Sequence, residues 1–262
     1  MSKTAKITVA VIVLVAALFA LSACDKEPEY DFVSGIFRYK FNGDGDDTVT
    51  IVGLEGDCPK DVVIPATVEY DGKVYKITQL GEAIFAPVEN RVTAKDAFGK
   101  GQEAFNTVLE TVTFEEGSFV TDIGGRCFLK CSSLKEVNLP ESLKTIGGFA
   151  FRKCLSLEEI VIPSSVTLIG NDSFGDCTAL KTVELRHSDP ANLPKLGERV
   201  FKWYDSSKQS FMGSTDPYTI IEGLNIVVTS EPMKQALINT KTSMDMSYRT
   251  WSDYSANFVV EE

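Results

Sequence analysis

Six cysteines carry the richest chemistry in this chain: Cys24, Cys58, Cys127, Cys131, Cys154 and Cys177. Thiols can pair as disulfides, bind a metal or act as nucleophiles. An exported protein meets an oxidising environment, and stacked coils would bring neighbouring Cα atoms within the ~4.4–6.8 Å that a disulfide needs. The spacing speaks against a full framework. Cys131, Cys154 and Cys177 recur every 23 residues, and three equivalent positions cannot all pair with one another. With Cys24 set aside for the amino-terminal signal below, an odd number remains. Cys127 and Cys131 stand four apart, which suits one face of a helix but not a C-x-x-C redox site. Zinc would need a different layout, because His187 is the only histidine. The expectation is that most of these thiols are free and buried. Cys131, Cys154 and Cys177 would form a structural ladder that packs as small, polarizable hydrophobes.

Other chemistry is sparse. Any triad or His-based metal site would have to use His187, and no Gly-x-Ser-x-Gly, His-Glu-x-x-His or Walker-type loop accompanies it. His187 therefore reads as a loop histidine without a catalytic role, and no cofactor or metal is expected. Asn42-Gly43-Asp44-Gly45-Asp46-Asp47 has the composition of a calcium loop but not its spacing, with Gly53 where a bidentate Glu is wanted. Between FRYKF and TVTIV it reads as an acidic hairpin turn. A net charge of −11 argues against nucleic acid, which needs clustered Lys and Arg.

The amino terminus reads as a targeting segment. Lys3 and Lys6 precede an apolar run from Ile7 to Leu21, and Leu21-Ser22-Ala23-Cys24 follows. The run is shorter than the ~20 residues that span a bilayer. A basic start, a short apolar run and small residues before a break are an export signal. Leu-Ser-Ala-Cys resembles a bacterial lipobox, which implies cleavage before Cys24 and acylation of that residue. Acyl chains anchor by burying CH₂ groups at ~0.8 kcal/mol each. Ordinary signal cleavage with an incidental cysteine is the alternative. Asp25 to Glu29 then reads as a polar tether. It resembles a surface-export signal in some lineages and an inner-membrane retention signal in others.

The elements that position the cysteines are repeats. TDIGGRCFLKCSSLKEVNLP, TIGGFAFRKCLSLEEIVIP and TLIGNDSFGDCTALKTVELR align at a spacing of 23. Ile123, Ile146 and Ile169 coincide, as do Gly124, Gly147 and Gly170, then Phe128, Phe151 and Phe174, then Leu134, Leu157 and Leu180. Such units built on L-x-x-L-x-L are leucine-rich repeats, and each leaves an apolar face that only its neighbours can cover. The last two apolar residues alternate with period two and share one face of a short strand. The glycine after Ile is expected to turn a tight corner. The F-x-x-C segment is expected to cross the far side as a turn or short helix.

The pattern IG-x-x-x-F-x-x-C-x-x-L-x-x-I-x-IP resembles the BspA-like class of leucine-rich repeats. The resemblance implies an α/β fold: a solenoid of ~23-residue coils with a short parallel β-sheet on one face and a cap at each end. Residues 1–23 would be the lipoprotein signal peptide, 24–31 the tether and 32–262 a single domain. Within it, 32–76 hold the amino-terminal cap and first coil, and 77–120 an irregular coil with an insertion. The three regular repeats run through 121–186, and 187–262 hold an irregular repeat with a second insertion and the closing cap.

The remaining candidates are surface residues. Outward strand positions carry Glu136 and Asn138, Glu159 and Val161, Thr182 and Glu184. Solenoids bind partners with such extended faces, and an acidic face favours a basic patch. Trp203 and Tyr204 lie in an insertion and could stack on a sugar ring or a partner loop. Trp251 and Tyr254 read as a lid on the last coil. The resemblance implies a non-enzymatic, lipid-anchored outer-membrane protein, displayed at the bacterial surface for protein binding or adhesion. A glycan-capture lipoprotein is the second reading, and a hydrolase built on the many carboxylates is a remote third.

Overall fold

The computed structural model describes residues 28–43, 45–87, 104–204, 218–239, 254 and 256–260. The leader with Cys24, the cores of both expected insertions, Tyr248 and Trp251 lie outside the described residues.

The chain opens with an antiparallel cap of β1 (Phe32–Ser34), β2 (Phe37–Phe41) and β3 (Thr48–Leu54). Phe32 stacks on Tyr39 at 5.0 Å and on Tyr70 at 4.2 Å, giving this end of the stack an aromatic cover. The acidic loop joins β2 to β3 as a hairpin turn. Asn42 anchors it by donating Nδ2–H to Thr48 Oγ1 (3.0 Å) and Thr78 Oγ1 (2.9 Å). After β4 (Asp61–Ile64), β5 (Thr67–Tyr70) and β6 (Lys73–Leu80) form a second hairpin. Its turn is Asp71-Gly72, both at positive φ (52° and 73°), the two-residue geometry that matches strand twist.

The repeats follow as β7 (Thr111–Phe114), β8 (Asp122–Ile123), β9 (Glu136–Val137), β10 (Thr145–Ile146), β11 (Glu159–Ile162), β12 (Leu168–Ile169), β13 (Thr182–Leu185) and β14 (Lys195–Leu196). The expected parallel sheet is present, and a second parallel ladder accompanies it. The Ile-Gly segments pair as β6-β8-β10-β12-β14, with Ile123, Ile146, Ile169 and Leu196 in register. Two-residue strands are too short to show alternation, so sequence alone gave them to a corner. The L-x-x-V-x-L ladder is divided: β4-β7-β9 form one sheet, while β11 and β13 belong to another.

The glycines act differently from expectation. Gly124, Gly147, Gly170 and Gly197 are not at positive φ. A methyl group on Gly124 or Gly147 would lie 2.6 Å from the backbone of the preceding coil. These positions are glycine because adjacent coils touch there. The left-handed conformations fall elsewhere, on Arg126, Phe149, Asp172 and Arg199 and on Lys130, Lys153 and Asp176, with φ of 51–61°. Their amides donate to the next coil: Phe149 N–H to Asn171 C=O (2.8 Å), Lys153 N–H to Gly175 C=O (2.9 Å). The F-x-x-C segment is thus a pair of left-handed turns, not a helix.

Inside, Phe85, Phe128, Phe151, Phe174 and Phe201 stack with centroids 4.9–5.5 Å apart. Offset stacking adds roughly 0.5–1.5 kcal/mol per pair to the area buried. The carboxy-terminal part adds a hairpin of β15 (Lys202–Tyr204) and β16 (Tyr218–Ile220). Then β17 (Asn225–Val228), helix α1 (Glu231–Ile238) and β18 (Phe258–Val260) follow, and β17 and β18 extend the sheet of β11 and β13. Ser230 caps α1 by accepting the Met233 amide at 3.3 Å, and Met233 and Leu237 are buried. Tyr254 sets its ring edge-on to Phe201 at 5.5 Å and closes the aromatic column. Among the described residues, no helix is long and apolar enough to cross a membrane.

Candidate interaction surface

The thiols sit in the core. Cys131, Cys154 and Cys177 are buried and free of disulfides. Each donates Sγ–H to a carbonyl one coil back: Phe85 (3.4 Å), Phe128 (3.2 Å) and Phe151 (3.0 Å). Burial pushes the thiols of Cys127, Cys131 and Cys154 up, and Cys154 is raised further by its neighbour Cys177. They are poor nucleophiles, since the thiolate is the reactive form.

One member of the column was missed from sequence. Asn106 bridges Cys131 in the irregular coil. It donates Nδ2–H to Phe85 C=O (3.0 Å) and to Cys58 Sγ (3.3 Å), while its Oδ1 accepts the amides of Val108 (3.0 Å) and Leu109 (3.1 Å). The signal was available: Asn106 precedes Leu109 by three, as Cys131 precedes Leu134. His187 lies in a loop yet is only 2% exposed, with Nε2 2.8 Å from Val166 C=O. Burial lowers its pKa.

On the turn side, charges are paired at close range. Arg152 makes a two-pronged contact with Asp176 (3.0 and 2.8 Å), and Arg199 does the same with Asp172 (3.1 and 2.7 Å). Asp172 and Asp176 are among the left-handed positions, a conformation that Asp tolerates better than most residues.

The opposite side presents the outward strand positions. Glu136, Asn138 and Glu159 are exposed, and Val161, Thr182 and Glu184 are half-exposed. Asn138 Nδ2 donates to Glu136 Oε1 at 2.8 Å. Lys135 pairs with Glu110 at 2.7 Å and Lys181 with Glu158 at 3.1 Å. Arg186 reaches both Glu184 (2.8 Å) and Glu141 (3.3 Å).

The face is interrupted between β9 and β11. Elsewhere each strand donates to its predecessor, as Asn138 N–H does to Val112 C=O (3.0 Å) and Thr182 N–H to Glu158 C=O (3.2 Å). Among the described residues, the corresponding bonds from Glu159 and Val161 to Lys135 and Val137 are not made, and β9 pairs only with β7, β11 only with β13. A cleft of about 790 Å³ occupies the gap, lined by Glu136, Asn138, Leu155, Glu158, Glu159 and Val161. Two residues accompany the break. Asn138 is a poor strand former and turns its amide onto Glu136. Pro163 has no N–H for the rung that Arg186 makes one coil later, to Ile162 C=O at 3.1 Å. The coils remain closed on their other sides, through β8–β10 pairing and a 2.7 Å bond from Ser156 Oγ–H to Ser132 C=O.

Trp203 and Tyr204 are not brought together. Consecutive residues of β15 point to opposite sides of the hairpin. Tyr204 instead meets Tyr218 at 5.7 Å, while Trp203 pairs with Thr219.

Among solved structures, the chain is similar to a leucine-rich repeat protein of T. pallidum (27% identity, 59% of this chain, 60% of that one, TM-score 0.45). It is also similar to one from Bacteroides capillosus (28%, 60% and 99%, TM-score 0.47) and one from Bacteroides ovatus (23%, 60% and 50%, TM-score 0.41). The match spans about 60% of the length of the T. pallidum protein. A comparison with curated proteins finds no match. Residues 101–217 match the model of the BspA type leucine rich repeat region in six copies.

Proposed function

We propose that this is a non-enzymatic scaffold that binds another protein through the outward face of its strands. The observation that carries this reading is the register of that face. Thr111 stands beside Glu136, and Glu159 beside Thr182, so unlike polar groups are held in fixed rows on a rigid backing. Rigid presentation of adaptable polar groups suits protein recognition, because little side-chain and loop ordering is lost on binding. The acidic composition favours a basic partner surface.

The leader, with acylation at Cys24, would place the protein on the cell envelope, displayed from the outer membrane as an adhesion or binding lipoprotein. Proteolysis of intact cells with and without Cys24→Ala tests the display. Loss of the protein from wild-type cells, and its release to the medium in the variant, is the expected result. Protection in both refutes surface exposure. Pull-down of a surface protein, weakened by Glu159→Lys, tests the face. The Tyr204–Tyr218 pair is the observation that favours a second reading, capture of a glycan by stacking. Binding to a glycan array lost in Tyr204→Ala would support it.

A further inference from the structure

We propose that the split between β9 and β11 is a slot for an extended, cationic segment of a partner protein, which adds itself to the open edge of β11. The proposal rests on the protein-binding reading above and names where on the face, and what, the protein binds.

Three observations converge. The first is the unpaired backbone. In the β11–β13 ladder, Glu158 and Ile160 supply the groups that meet β13, so the amides and carbonyls of Glu159 and Val161 face the split. Strand edges of this kind are templates for another strand. The second is room. Facing Cα atoms of β9 and β11 come within 8 Å, against the ~9.6 Å that an intervening strand needs, so the segment enters by parting the strands along their open side, where a cleft of about 790 Å³ lies before an edge long enough for about four residues of extended chain. It widens from one side only, because the coils are held together along β8–β10 and at Ser132. The third is charge. Glu136 and Glu159 line the cleft together with Glu158, which Lys181 holds at 3.1 Å, and with Lys135, whose ammonium is already held by Glu110. Leu155, 38% exposed, supplies an apolar contact at the rim. The chemistry that fits is a strand alternating Lys or Arg with small or β-branched residues.

Hydrogen exchange of the free protein is the first test. The amides of Glu159 and Val161 should exchange at least tenfold faster than those of Thr182 and Glu184, which lie inside the ladder. Equal protection means the ladder is closed and overturns the proposal. The second test selects a library of random peptides on phage against the purified protein. Selected sequences should be basic and strand-forming, should slow exchange at Glu159 and Val161, and should bind at least tenfold more weakly to Glu159→Lys. Val161→Pro removes an amide that faces only the split and should act alike if it folds. Asn225→Lys, on the same face but away from the cleft, should bind as wild type. Peptides that are lost on Asn225→Lys and unaffected at the cleft would leave the binding face standing and refute the slot. Selection of no peptide, or of acidic ones, refutes it as well.

Discussion

At the scale of single residues, the fold rests on two opposed backbone demands in each coil. Gly147 must be small, because a Cβ there would meet Gly125 N at 2.6 Å and Gly124 C at 2.7 Å. Backbone atoms of a packed coil cannot swing aside as a side-chain tip would. Gly147→Ala is therefore expected to lose roughly 3 kcal/mol, the upper part of the range for overpacking, seen as a lower urea midpoint with unchanged slope. Lys153 presents the converse case. It holds φ at 61°, which costs an ordinary residue roughly 1–2 kcal/mol, while glycine would lose only ~0.5–1 kcal/mol in chain entropy. Lys153→Gly should leave stability unchanged or raise it by about 1 kcal/mol. The same denaturation experiment decides both, and a destabilising Lys153→Gly would show that its side chain contributes more than its strained backbone costs.

At the scale of elements, the carboxy-terminal coils depend on a neutral His187. Its imidazole is buried between two strand ends, with Nε2 on Val166 C=O, and Thr229 Oγ1–H donates to its own carbonyl at 3.0 Å. Burial lowers the folded pKa below the unfolded value of about 6.5. The unfolded chain then binds the proton more readily. The His187 contribution is fully present above about pH 6.5 and is lost as pH falls from there through the folded pKa. Tm should drop over that window in the wild type, and the drop should shrink in His187→Gln; equal slopes would discard the idea. Sequence reading gave the coil period, the inward Phe and Cys columns and the outward rows, because repetition in register exposes them without any structure. It lost the Ile-Gly ladder, since two residues cannot show a period. It misread the glycines, since a close approach of backbones leaves the same letter as a left-handed turn. It overlooked the burial of His187 because what covers that ring comes from a neighbouring coil.

At the scale of the whole molecule, stability is the sum of coil energies and the contacts between neighbours, so the weakest junction governs how the stack opens. That junction lies between β9 and β11. The Ile-Gly ladder and the Phe column cross it intact, whereas the L-x-x-V-x-L ladder does not. Asn138→Val with Pro163→Thr should restore strand propensity and the missing donor. Each new rung is worth about 0.5–1.5 kcal/mol, so the double variant should gain roughly 1–3 kcal/mol in urea unfolding. The amides of Glu159 and Val161 should become as protected as those of Thr182 and Glu184. A stack sealed in this way should also refuse the basic peptides that the wild type accepts, although every carboxylate of the cleft remains. Retained affinity in the sealed variant would assign recognition to the charges alone; lost affinity with added stability would mean that the open backbone edge is the recognising element. Stability and binding are then opposed at a single seam, which is the arrangement expected where a fold leaves a ladder unfinished for use.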